Sequence, residues 1–216
     1  MRPILDITPR VSPRLAVWPG DTPPSRDVLL DIAAGDTVTL STLQATVHLG
    51  AHADAPSHYG AGARTIDQQP PERYVGLCQV VRVGASRGTR VEPEHLVAPI
   101  VAPRVVLVTG TFPDTDEFNR DFAALSPRLV DWLHARGVQL VGIDTPSIDL
   151  FDDRALLAHK RCLEHDIAIL EGLTLSHVPD GLYELIALPL RLVGFDASPV
   201  RAVLRQLPPA PLSAAD

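Results

Sequence analysis

Twenty-one prolines are scattered through the 216 residues, about twice the ordinary share of roughly 5%. Each fixes its own φ, removes one backbone N–H donor and cannot sit inside a helix without breaking it. A chain punctuated this often cannot build long helices. It must fold from many short elements joined by tight connections. The prolines are not gathered in one linker, so residues 1–207 are expected to form a single domain, followed by a Pro- and Ala-rich tail over 208–216.

The apolar runs between these breaks set the fold class. Ile4–Ile7, Leu77–Val83, Val105–Thr109, Leu140–Ile143, Ile167–Leu170 and Leu190–Phe195 are short and nearly continuous, the pattern of strands buried on both faces. Val38–Leu49 alternates apolar and polar with one slip near Ser41-Thr42, which predicts a strand with a bulge. Ser126 followed by Pro127 is a helix start, Leu129, Val130 and Leu133 give it an apolar stripe, and Gly137 stops it. A second helix is expected over 154–164, and a third from Ser198-Pro199 to about Leu207. Strands outnumber helices and alternate with them, which predicts an α/β domain with a twisted mixed sheet flanked by helices.

Composition narrows the function classes. Apolar residues make up 45% of the chain and charged residues 21%, which excludes a disordered chain. A formal net charge of −7 argues against a nucleic-acid partner, which needs a basic face. No apolar run approaches a membrane span, and Met1–Asp6 carries no signal-peptide core. Two cysteines, Cys78 and Cys162, are too few for a disulfide framework or a cysteine zinc site. A cytoplasmic globular protein is expected.

The chemistry is concentrated in residues 48–58, His-Leu-Gly-Ala-His-Ala-Asp-Ala-Pro-Ser-His, which hold three of the chain's eight histidines. Imidazole with carboxylate suits a borderline divalent metal. On a flat strand His48 and Asp54 would lie roughly 20 Å apart, too far to share an ion. A helix over the same residues is opposed by Gly50 and Pro56. The remaining geometry is a chain that curls at Gly50, where glycine tolerates positive φ, and gathers His48, His52 and Asp54 around one point.

This run matches the H-x-G-[TA]-H-x-D-x-P-x-H signature and resembles the metal-dependent cyclase/formamidase family, within it the bacterial kynurenine formamidase (arylformamidase) branch. Trp18-Pro19-Gly20-Asp21, Gly142-Ile143-Asp144-Thr145-Pro146-Ser147, Ile169-Leu170-Glu171-Gly172-Leu173 and Leu188-Pro189-Leu190 resemble further blocks of that family. Ala51 stands where many members have threonine. The resemblance implies a cyclase-like swivelling β/β/α fold, a homodimer, and two zinc ions sharing carboxylates. It assigns His48 and His52 to one ion, His159 to the second, and Asp54 and Glu171 to the bridge. It makes His58 the acid/base and Trp18 a wall of the substrate site. The implied reaction is hydrolysis of N-formylkynurenine to kynurenine and formate by a metal-activated water. A cyclic-amide hydrolase or a cyclase of the same family is the alternative.

The residues read alone leave other roles open. His159 shares a helix face with Ala155, Leu156, Cys162 and Leu163, which suits a core histidine as well as a ligand. Glu171 could pair with an arginine, Trp18 could be ordinary packing, and His58 could bind substrate without moving a proton. Gly84-Ala85-Ser86-Arg87-Gly88 fits the nucleophile elbow of serine hydrolases, although Pro93 falls inside the helix that motif requires.

Overall fold

A computed structural model describes residues 2–208. Its strands are β1 (Ile4–Asp6), β2 (Ser25–Leu30), β3 (Leu40–Gln44), β4 (His52–Asp54), β5 (Val75–Arg82), β6 (Arg90–Val91), β7 (Arg104–Val108), β8 (Ala124–Leu125), β9 (Leu140–Ile143), β10 (Ala168–Glu171), β11 (Gly181–Ile186), β12 (Ala197–Pro199) and β13 (Val203–Gln206). The α-helices among the described residues are α1 (Pro127–His134) and α2 (Leu157–Glu164). Nine strands form one sheet in the order β1-β13-β11-β5-β7-β9-β10-β4-β12. Its centre, β5-β7-β9-β10, is parallel, and both flanks are antiparallel. This is the expected single α/β domain with a curled mixed sheet. None of the described helices is long and apolar enough to cross a membrane.

The central strands are apolar throughout because both faces are covered. Val105 and Leu107 of β7 pack with the α1 stripe, whereas Val106 and Val108 join Ile7, Ala53 and Tyr74 on the other face. The same alternation divides Val141 and Ile143 from Leu140 in β9, and Ile169 from Ala168 and Leu170 in β10. α1 forms as its sequence predicts. Ser126 Oγ accepts from the Leu129 N–H, Pro127 opens the helix, and Leu129, Val130 and Leu133 are buried.

Four expectations are corrected. The segment from Ser198 to Leu207 is not a helix: it supplies β12, which pairs with β4, and β13, which sits between β1 and β11. Sheet edges with unpaired backbone groups capture it despite its helix-like opening. Leu190–Phe195 is an irregular loop, with Val193 81% exposed. Within Val38–Leu49 only Leu40–Gln44 is a strand; it forms a separate hairpin with β2, and the irregularity lies opposite, between Val28 and Leu30. α2 begins at Leu157, because Leu156 takes a left-handed φ of 50°. Of the expected tail, residues 209–216 lie outside the described residues.

Candidate metal centre

The curl at Gly50 is present, with φ +54°. His48 precedes it in the loop and β4 follows it directly. β4 lies antiparallel to β10, which sets His52 opposite Glu171. Side chains two apart on a strand share a face, so His52, Asp54 and Glu171 point the same way. α2 packs across that face and presents His159 to it. Gly172 lets the end of β10 approach the curl closely: a Cβ there would collide with the Gly50 carbonyl oxygen.

These connections bring together five of the predicted residues. His48 Nδ1 lies 3.1 Å from Asp54 Oδ1, and His52 Nε2 lies 3.4 Å from the same oxygen. His159 Nε2 is 3.3 Å from Asp54 Oδ2 and 3.4 Å from Glu171 Oε1. His52 Nε2 is also 3.3 Å from Glu171 Oε2. Each carboxylate therefore faces histidines with both oxygens. His52, Asp54, His159 and Glu171 are all buried, while His48 is partly so.

The opposite nitrogen of each histidine is occupied. His52 Nδ1 donates to the Gly50 carbonyl at 2.9 Å. His159 Nδ1 meets Asp149 Oδ2 at 2.8 Å, and His48 Nε2 meets Asp196 Oδ2 at 3.1 Å. In the neutral imidazole the remaining nitrogen is then a bare lone pair. Three such lone pairs converge on two buried carboxylates, an arrangement that needs positive charge. His52 Nε2 and Asp54 Oδ1 are buried without a hydrogen bond of acceptable geometry. This donor set, with imidazole and carboxylate and no thiolate, fits a divalent cation such as zinc or manganese. Two trios, His48–Asp54–His58 and His52–Asp54–Glu171, have ligand atoms within 4.8 Å of one another and share Asp54.

Without a cation, protons supply the charge. Burial disfavours a charged His52, but hydrogen bonds and charge from Asp54 and Glu171 outweigh it and hold its pKa at about 10. His159 is likewise driven well up, against its burial, by Asp149, Asp54 and Glu171. Burial would raise Asp54, yet His159, His48 and His52 hold it well below the usual carboxylate range.

The cluster forms the floor of a cleft of about 480 Å³. Trp18 and Phe112 are on its wall, His58 and Asp196 at its polar side. Trp18 is fixed by stacking on Phe151, with ring centroids 4.9 Å apart, and by an edge contact with Phe118. His58 sits in the turn after Pro56, outside the buried cluster, with Nδ1 3.3 Å from Asp196 Oδ2.

The sequence did not single out Asp149 or Asp196. Asp149 accepts from the Ala158 and His159 backbone N–H groups as well as from the His159 ring, so it caps α2 and orients the imidazole at once. Ser86 is exposed, and the chain turns at Arg87-Gly88 into β6 with no helix following. The nucleophile-elbow reading therefore lacks its required context.

Comparison with known proteins agrees with this geometry. A family model described as "Putative cyclase" matches residues 5–150. A structure described as a potential metal-dependent hydrolase with cyclase activity superposes with a TM-score of 0.84 at 26% identity, over 97% of this chain and 100% of that one. A predicted metal-dependent hydrolase from Bacillus stearothermophilus superposes at 0.79 and 27% identity, over 96% and 100%. Isatin hydrolase A from Labrenzia aggregata shares the fold, with a TM-score of 0.78 at 20% identity over 94% and 93%. With its buried histidine–carboxylate centre and a family match across two thirds of its length, this chain belongs to the cyclase family of metal-dependent hydrolases.

Proposed function

We propose that the protein is an arylformamidase that hydrolyses N-formylkynurenine to kynurenine and formate, a step of tryptophan breakdown, using two zinc ions. The observation that carries this reading is the juxtaposition of a carboxylate-bridged histidine floor with an aromatic wall in one cleft. His48 and His52 would hold one ion and His159 the other, with Asp54 and Glu171 serving both. Ions in such a site lower the pKa of a bound water to about 7 and polarise a carbonyl oxygen.

The chain's own residues do the rest. Trp18, held rigid by Phe151 and Phe118, offers a flat apolar surface for the aryl ring. With Nδ1 on Asp196, neutral His58 keeps its other nitrogen free for proton transfer. It takes a proton as water attacks the formyl carbon and gives it to the departing aniline nitrogen. One water and one formanilide yield formate, a free arylamine and one proton.

A second reading is hydrolysis of a cyclic arylamide, favoured by the shared fold with isatin hydrolase A. The test follows release of free aromatic amine from N-formylkynurenine, with isatin alongside, before chelation, after it and after zinc return. Loss and recovery on N-formylkynurenine support the proposal. Turnover of isatin alone transfers the site to cyclic amides. Activity that survives thorough chelation, or that falls in Ser86→Ala, overturns the metal mechanism.

A further inference from the structure

Apart from its histidines, the cleft is lined by charge of one sign. Asp21, Asp144, Glu171 and Asp196 line it, and among the described lining residues there is no lysine or arginine. Two arginines close to the aromatic wall are engaged elsewhere. Arg14, beside Leu15, pairs with Asp116 at 3.1 Å, and the Arg120 guanidinium lies over the Phe151 ring, 4.7 Å from its centroid. A cleft of one sign focuses its field on whatever enters.

Three of these carboxylates have protein partners that account for them. Glu171 faces His52 and His159, and Asp196 faces His48 and His58. Asp144 is buried and accepts from the Thr109 and Gly110 N–H groups and from the Thr109 hydroxyl. Asp21 differs. It is exposed at the cleft, and among the described residues its carboxylate meets only the Thr46 hydroxyl, which donates to Oδ2 at 3.3 Å. Oδ1 is left for a ligand.

An exposed aspartate is ordinary; Asp21 is set apart by how it is held. Its N–H donates to the Trp18 carbonyl at 2.9 Å, closing a turn in which Gly20 has φ +104°. Thr46 Oγ1 in turn accepts from the His48 N–H at 3.3 Å. The carboxylate is thus tied on one side to the aromatic wall and on the other to the loop that carries His48.

We propose that Asp21 is a specificity-determining residue that binds an aliphatic ammonium group of the substrate, and that the cleft reads no substrate carboxylate. This rests on the arylformamidase reading and narrows it to formanilides whose side chain bears an amine. With the aryl ring on Trp18 and the formamide over the histidine–carboxylate floor, the side chain reaches the mouth, and its ammonium donates to Asp21 Oδ1. A carboxylate on the same carbon meets no cation and stays in solvent. A formanilide ending in an amine alone is then as good a substrate as N-formylkynurenine, and one ending in a carboxylate alone is a poor one.

The test measures binding without turnover. Calorimetry on the full zinc-loaded chain compares kynurenine with its decarboxylated amine and its deaminated acid. Wild type is expected to bind the amine at least as tightly as kynurenine, and the acid about tenfold more weakly. Asp21→Asn keeps an oxygen for Thr46 and should weaken both amine-bearing ligands about five- to tenfold, while the acid, relieved of a like charge, binds no worse. Asp21→Lys should reverse the order, so that the acid binds best. Asp21 is exposed, so neither change threatens folding. KM for the matching N-formyl compounds should follow the same order, with kcat much less affected. An amine that does not bind, equal losses for amine and acid in Asp21→Asn, or an unaltered preference in Asp21→Lys would overturn the inference. The formamidase reading fails separately, if the binding order holds and none of the N-formyl compounds is hydrolysed.

Discussion

Asp149 Oδ2 and His159 Nδ1 are 2.8 Å apart, and the same carboxylate accepts the backbone N–H groups of Ala158 and His159. One side chain thus starts α2 and selects the tautomer that turns His159 Nε2 toward Asp54 and Glu171. Carboxylates placed behind ligating histidines typically contribute 10–100-fold to metal affinity. Asp149→Asn is therefore expected to weaken zinc binding about 10–100-fold, with the far-UV spectrum unchanged. Competition against a chromophoric chelator measures it. An unaltered affinity would show that His159 is not a ligand.

Gly172→Ala is expected to be among the most damaging single changes in the chain. The residue has φ +65°, and an added Cβ would overlap the Gly50 carbonyl. That carbonyl cannot retreat freely, because it fixes His52 through Nδ1. Backbone strain and a displaced ligand combine, so a loss above about 4 kcal/mol is expected. Denaturant unfolding of the metal-free protein isolates the strain, and zinc affinity reports the ligand. Gly62 has a similar positive φ with nothing near its Cβ position, so Gly62→Ala is the control and should cost far less.

The parts of this design that were legible in the sequence are those whose signal is local. His48, His52 and Asp54 fall in one eleven-residue run whose spacing forced the curl at Gly50. α1 declared itself through its cap, its proline and its stripe. What the sequence hid depends on distant partners. Asp149 and Asp196 are single carboxylates beside turns; the loop after β9 folds back to bring Asp149 onto His159, and the pairing of β12 with β4 brings Asp196 to His48 and His58. β11 turns Tyr183 and Leu185 inward, but apolar Leu182 and Ile186 share the other face with Glu184, which hides the alternation. Ser198-Pro199 carries a good helix-start signal, which the open edges of the sheet override.

Metal removal should alter stability in a pH-dependent way. With His52 raised from 6.5 to about 10 in the metal-free protein, its proton stabilises the fold fully below about pH 6.5. That stabilisation is lost as pH rises toward 10. The chelated protein should therefore melt lower at pH 9 than at pH 7. A cation held by His52, as proposed, displaces the same proton, so its affinity should rise with pH and its binding should release protons. At a hundred times the dissociation constant, bound metal adds about 2.7 kcal/mol, and the loaded protein should vary less between the two pH values. Calorimetry in buffers of different ionisation enthalpy counts the protons. Zero release would contradict a protonated His52.

His58 separates proton transfer from metal binding. Its ring stands 4.2 Å from that of His48, and it belongs to a trio with His48 and Asp54 close enough to hold an ion. Two roles are therefore open to the same side chain. If it moves the proton, as proposed, His58→Ala lowers kcat by about 10²–10⁴, leaves KM near its original value and keeps the full metal content. If it is a ligand, metal content falls with activity. The placement favours the first outcome: His58 is exposed at the cleft, its Nδ1 is engaged by Asp196, and the buried nitrogens and carboxylates face one another without it. Metal analysis of the purified variant beside its steady-state kinetics decides between them.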